Sequence, residues 1–127
     1  MQHVNEAQTK QNLYIQFLKM AHEADPKLNA LDPVEEKLLT YIALNADTSR
    51  LSVRDLMATS QFGSPAMIHG RLTSMREKGW LNLADTEDAR RKKVELSHAA
   101  LMHFDTLGEY IKQVIDPNYK PKTKKTK

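Results

Sequence analysis

The chain is 127 residues long, 40% hydrophobic and 28% charged, with four Gly and no Cys. These proportions fit a helix-rich globular domain and argue against a disordered or fibrous chain. The lack of Cys removes a disulfide framework, a thiolate metal site and a cysteine nucleophile together, and makes the reducing cytoplasm the expected compartment. No apolar run approaches the roughly 18 to 20 residues of a membrane span, and the polar start Met1-Gln2-His3-Val4-Asn5-Glu6 lacks the apolar centre of a signal peptide.

The formal net charge of +3 is unevenly distributed. Residues 117–127 hold five Lys and no acid, and residues 50–93 hold nine basic groups against five acidic ones, whereas the rest of the chain is net acidic. One segment and one tail therefore suit a polyanion, although a solvated charge mixture would look the same on charge alone.

In chain order, the first periodic segment runs from about Val4 to Glu23. Leu13, Phe17, Met20 and Ala24 form its stripe, with Tyr14, Leu18 and Ala21 beside it, and Asp25-Pro26 ends it. A second helix starts at Asp32-Pro33, an N-cap followed by proline, with Glu35 three residues after the cap; Val34, Leu38, Leu39, Ile42 and Ala46 form its inward stripe. Arg50-Leu51 reads as a brief extended link. Ser52, with Asp55, caps a short third helix from Val53 to about Ser60 that turns Val53, Leu56 and Met57 inward.

Gln61-Phe62-Gly63 reads as a tight turn, and Ser64-Pro65 restarts a helix that runs to Lys78. Ile68, Leu72 and Met75 share its core face, while Ala66, His69, Gly70, Thr73 and Arg76 occupy the opposite face. Gly79 suits the left-handed residue that closes a helix. Trp80 to Asp85 and Arg91 to Leu96 read as two strands of an antiparallel hairpin, joined through Thr86-Glu87-Asp88-Ala89. Ser97 caps a last helix carrying Leu101, Phe104, Leu107, Ile111, Val114 and Ile115, and Asp116-Pro117 stops it.

The predicted fold is mainly α with a small β-hairpin, a winged helix-turn-helix domain flanked by N- and C-terminal helices. Residues 1–116 are assigned to that domain with its flanking dimerisation helices, and residues 117–127 to a basic disordered tail. A helix fits the major groove of B-form DNA, and a hairpin beside it reaches the backbone or minor groove.

At the hairpin, Asp88-Ala89-Arg90, five residues, then Leu96-Ser97 resembles the wing signature of the MarR (multiple antibiotic resistance regulator) family, Asp-x-Arg, five residues, Leu-Thr. Met75-Arg76-Glu77-Lys78-Gly79-Trp80-Leu81 is similar to that family's recognition-helix ending, and the resemblance covers roughly residues 33–115. It implies a DNA-binding transcriptional regulator that acts as a homodimer on double-stranded DNA, with a small-molecule effector as a further partner.

The resemblance also assigns roles. Ser64, Pro65, Ala66, His69, Gly70, Thr73 and Arg76 would form the DNA-facing recognition helix, and Arg90 the wing arginine, its guanidinium oriented by Asp88. Arg91, Lys92 and Lys93 are phosphate contacts or solubilise an edge strand. Ser97 stands where the family has Thr and keeps its hydroxyl, Leu83 stands where an Arg is frequent, and Gly70 lies mid-helix. The Lys tail is a non-specific clamp or a solubility feature. An alternative reading is a nucleoid-associated or protein-interaction winged-helix adaptor without strong sequence specificity. No cofactor and no enzymatic role are expected: the five His (His3, His22, His69, His98, His103) lack metal-ligand spacing, and no nucleophile elbow or phosphate-cradling Gly loop is present.

Overall fold

A computed structural model describes residues 11–24, 28–46, 51–87 and 92–120. Its elements are α1 (Leu13–Glu23), α2 (Pro33–Leu44), α3 (Val53–Ala58), α4 (Pro65–Glu77), β1 (Leu81–Ala84), β2 (Lys93–Leu96) and α5 (His98–Ile115). The chain divides into two compact units, one of residues 26–102 and one of residues 1–25 with 103–127.

In the central unit each helix start follows from a local capping reaction. Asp32 caps α2 by accepting from the Glu35 N–H at 2.8 Å, and the Glu35 side chain returns the bond by accepting from the Asp32 N–H at 2.8 Å. Ser52 and Asp55 repeat this reciprocal pair on α3. Ser64 caps α4 and Pro65 takes its first position, where the missing N–H has no helical partner to lose. Leu38, Leu39 and Ile42 from α2, Leu56 from α3, and Ile68, Leu72 and Met75 from α4 converge in the core, closed by Trp80, Leu81, Val94 and Ala100. Val34, Val53 and Met57 of the expected inward sets are only half-buried, and Ala46 is exposed beyond the end of α2.

The α3–α4 connection contains two left-handed residues, Ser60 at φ 54° and Gly63 at φ 136°. A Cβ on Gly63 would meet only the end of the flexible Met67 side chain, which can move aside, so it is the backbone angle that favours glycine there. After α4, Gly79 takes φ 92° and turns the chain into β1.

The two strands pair antiparallel with Leu81 opposite Leu96 and Leu83 opposite Val94, so the apolar members share the core-facing side. Leu51 and Ser52 lie along the other edge of β2: the Val94 N–H donates to the Leu51 carbonyl at 2.7 Å, and Ser52 bridges Lys93. Ser97 then performs two tasks with one hydroxyl, donating to the Gly79 carbonyl at 2.6 Å and accepting from the Ala100 N–H at 3.0 Å at the start of α5.

The flanking unit interrupts the expected helix at Asn12. Asn12 holds an extended backbone at φ −71°, ψ 123° and accepts from the Ile15 N–H at 3.0 Å, so α1 begins at Leu13. The expected beginning near Val4 lies outside the described residues. No side chain of α1 is buried, and Leu13, Tyr14, Ile15 and Leu18 are exposed. On α5, Ile111 and Ile115 are exposed while Val114 is buried. Past α5, Tyr119 folds back, its hydroxyl donating to Glu109 Oε1 at 2.6 Å and its ring lying under Lys112 Nζ at 5.6 Å from the centroid. The Glu109 carboxylate holds the Tyr119 hydroxyl in its protonated form, raising its pKa. On the same helix, partial burial lowers the pKa of His103.

Candidate nucleic-acid interface

At 100° per residue, Ala66, His69, Gly70, Thr73 and Arg76 fall within about 120° of one another on α4, opposite Ile68, Leu72 and Met75. The structure respects that division: Ala66, His69, Gly70 and Arg76 are exposed, Thr73 is half-buried, and the three apolar residues are in the core. Ser64 and Pro65 are exposed at the N-terminal end of the same helix. The Thr73 hydroxyl donates to the His69 carbonyl at 3.1 Å, which leaves its oxygen lone pairs free to accept. The Arg76 side chain makes no ion pair among the described residues.

A Cβ built on Gly70 meets nothing within 4 Å. Packing among the described residues therefore gives no reason for glycine at this mid-helix position. Gly79 contrasts with it, because both its φ of 92° and the Leu28 methyl 3.0 Å from its would-be Cβ restrict substitution.

The hairpin stands next to the C-terminal half of α4. Between them lies an open groove of about 490 Å³ lined by Thr73, Arg76, Glu77, Leu81, Asn82 and Leu83. Leu83 is half-buried in this groove and contributes a methyl surface rather than a charge. Lys92 pairs with Asp85 across the hairpin, which lowers the Asp85 pKa, first through the hydrogen bond and then through the charge. Lys93 lies 3.8 Å from Glu95. Both lysines thus already face carboxylates, although exposed pairs of this kind are weak and exchange readily. Asp88, Arg90 and Arg91 lie outside the described residues.

Trp80 is a core residue, 4% exposed, with its Nε1–H donating to the Asn29 carbonyl at 2.8 Å. Two exposed polar residues carried no signal in the sequence. Arg54 is exposed near the start of α3, and Asn82 is exposed on β1 at the groove. Neither had a periodic or motif signal: Arg54 is the one basic residue in a six-residue helix, and the register that places Asn82 opposite Glu95 exists only once the hairpin has formed.

Among the described residues no group of three or more His, Asp or Glu is placed to hold a metal ion, and no helix is long and apolar enough to cross a membrane.

These elements make the fold a winged helix-turn-helix, with α3 and α4 as the helix pair and β1–β2 as the wing. No family model matches the chain, and no curated protein does. Among solved structures it is similar to heme-free PefR, with 17% identity over 87% of this chain and 99% of that one at a TM-score of 0.48. It is also similar to the heme sensor protein PefR from Streptococcus agalactiae in complex with heme, with 19% identity over 93% of this chain and 83% of that one at a TM-score of 0.49.

Proposed function

We propose that the protein is a DNA-binding transcriptional regulator that inserts α4 into the major groove and sets the hairpin against the neighbouring backbone or minor groove. One observation carries this reading: α4 is packed on its apolar side and leaves Ala66, His69, Gly70, Thr73 and Arg76 on its outer side, beside a two-stranded β-ribbon. A helix built this way fits a groove about 12 Å wide. His69, Thr73 and Arg76 supply hydrogen-bonding groups for base edges or phosphates, and the small Ala66 and Gly70 allow close approach. Arg90 acts as the wing arginine with Asp88 orienting it, and Arg91 and Lys92 add phosphate contacts once Lys92 exchanges Asp85 for the backbone.

In this reading the regulator works in the cytoplasm as a homodimer on an inverted repeat whose half-sites lie about one helical turn apart. The exposed apolar side chains of α1 and the far end of α5, Leu13, Tyr14, Ile15, Leu18, Ile111 and Ile115, supply the surface a second copy would cover. A small-molecule effector is part of the proposal through the family resemblance alone. The five lysines between residues 120 and 127 add sequence-independent affinity.

A second reading, a nucleoid-associated or protein-interaction adaptor, draws support from the small number of base-reading groups on α4 and from the methyl surface of Leu83 in the groove. Selection from a pool of random DNA duplexes, with the mass of the free protein measured alongside, separates the two. Enrichment of one palindromic motif and a dimeric mass support the regulator. A pool that stays random after several rounds contradicts it.

A further inference from the structure

The recognition helix has a third side, neither core nor outward face. Arg71, Ser74 and Lys78 follow one another at i, i+3 and i+7 along one flank of α4. Opposite that flank stands the capping box of α2. Asp32 Oδ2 lies 2.5 Å from Arg71 Nη1, and Glu35 Oε1 lies 2.6 Å from Lys78 Nζ.

The two acids that cap one helix thus also grip another, across 39 and 43 residues of sequence. Just before the cap the same segment touches the exit from α4 twice more. Asn29 receives the Trp80 indole N–H, and the Leu28 methyl sits against Gly79.

Glu35 is the unusual member. It is 0% exposed, and a carboxylate so placed is strongly unfavourable unless it is paired. Burial pushes its carboxyl pKa up, but the hydrogen bonds from Lys78 and the Asp32 N–H, the Ser74 hydroxyl and the Lys78 charge outweigh burial and hold it below the ordinary glutamate value. Replacement of such a pair by apolar residues is often neutral or stabilising, so stability alone is a poor reason for it. A charged pair differs from an apolar contact in being directional, and direction is what a helix needs when its angle decides which bases it meets.

We infer that Asp32 and Glu35 are positioning residues for DNA reading: they fix the angle and depth of α4 through Arg71 and Lys78, and Lys78 is a brace rather than a phosphate contact. The inference rests on the reading of α4 as the DNA-facing helix. Asp32 and Glu35 touch no DNA in this account; they act through the helix they hold.

The test compares affinity for the selected duplex with affinity for a random duplex, for the full chain and for Glu35→Gln, Asp32→Asn and Lys78→Met. Glu35→Gln keeps the volume and an acceptor for the Asp32 N–H. Asp32→Asn keeps a good N-cap and loses only the charge facing Arg71, so it decides the question if Glu35→Gln does not fold. Loss of one well-aligned base contact corresponds to roughly a tenfold fall in the ratio of selected to random affinity, which is the expected result for each variant. Affinity for random DNA should stay nearly constant, and Glu35→Gln/Lys78→Met should fall no further than either single change.

The slope of log affinity against log salt should be the same for Lys78→Met as for the unsubstituted chain. A slope smaller by about 0.9 would make Lys78 a phosphate contact and overturn the inference. An unchanged affinity ratio with a lowered melting temperature would also overturn it, leaving the pairs merely structural. If the unsubstituted protein shows no preference for any duplex, the regulator reading and this inference fail together; if it does and the variants keep that preference, only the inference fails.

Discussion

Replacement of Gly70 by Ala separates what α4 needs to fold from what its outer face needs to bind. Mid-helix glycine is about 1 kcal/mol less favourable than alanine because the unfolded chain is freer and no side chain restricts it. The new Cβ would meet nothing within 4 Å, so no clash offsets that gain. Gly70→Ala should therefore stabilise the protein by about 1 kcal/mol, a rise in melting temperature of roughly 3 to 5 °C for a chain of this size. Thermal unfolding followed by far-ultraviolet circular dichroism measures the first effect, and fluorescence anisotropy with a selected duplex measures the second. If the α4 backbone comes close to a base edge at residue 70, the added methyl should weaken binding at least severalfold even as it stabilises the fold, a cost consistent with overpacking a close contact. A melting temperature that falls would refute the helix argument, and unchanged affinity would place residue 70 away from the duplex. Gly108→Ala, also mid-helix with open space around its Cβ, serves as the control and should give a similar stabilisation.

Other outcomes follow from the same geometry. Gly79→Ala should destabilise by about 1 to 2 kcal/mol, since its left-handed backbone penalises a side chain and Leu28 already occupies the space; chemical denaturation reads this directly. The Glu35 carboxyl is held below the ordinary glutamate value, so its contribution to stability is present above that ordinary value and is lost as pH falls through the lower folded one. Glu35→Gln should flatten the acid side of the stability profile, and an unchanged acid limb would contradict the ion pair. Arg90→Ala should lower DNA affinity across sequences or reduce AT preference, and equal binding at low and moderate salt would remove it from the interface. Deletion of residues 120–127 should reduce the salt slope, and an identical slope would remove the tail from it.

The parts of the fold that could be read from the chain are those fixed by neighbours in sequence. Asp32-Pro33, Ser52 with Asp55, Ser64-Pro65 and Ser97 each mark a helix start because a cap needs only a side-chain oxygen and an N–H two or three residues later. Gly79 is legible because the left-handed residue that follows a helix favours glycine. Asn12 was not, because an apolar period running on both sides hides a break at which the Ile15 N–H donates to the Asn12 side chain.

The outward face of α4 followed from its 3.6-residue period, so Ala66, His69, Gly70, Thr73 and Arg76 fell together as read. The grip of Asp32 and Glu35 on Arg71 and Lys78 had no signal, since a carboxylate at a helix start already had a sufficient local explanation. The strand limits shrank to Leu81–Ala84 and Lys93–Leu96 because pairing, not composition, decides where a short hairpin stops.

Because the chain has no Cys, a single thiol can be placed wherever contact is to be sensed. Ala66→Cys on the outward face of α4 and Thr40→Cys on the exposed face of α2 form the decisive pair, with maleimide labelling rates measured with and without a bound selected duplex. The account predicts slow labelling at residue 66 once DNA binds and unchanged labelling at residue 40. Equal rates at residue 66 in the free and bound protein would take α4 out of the groove.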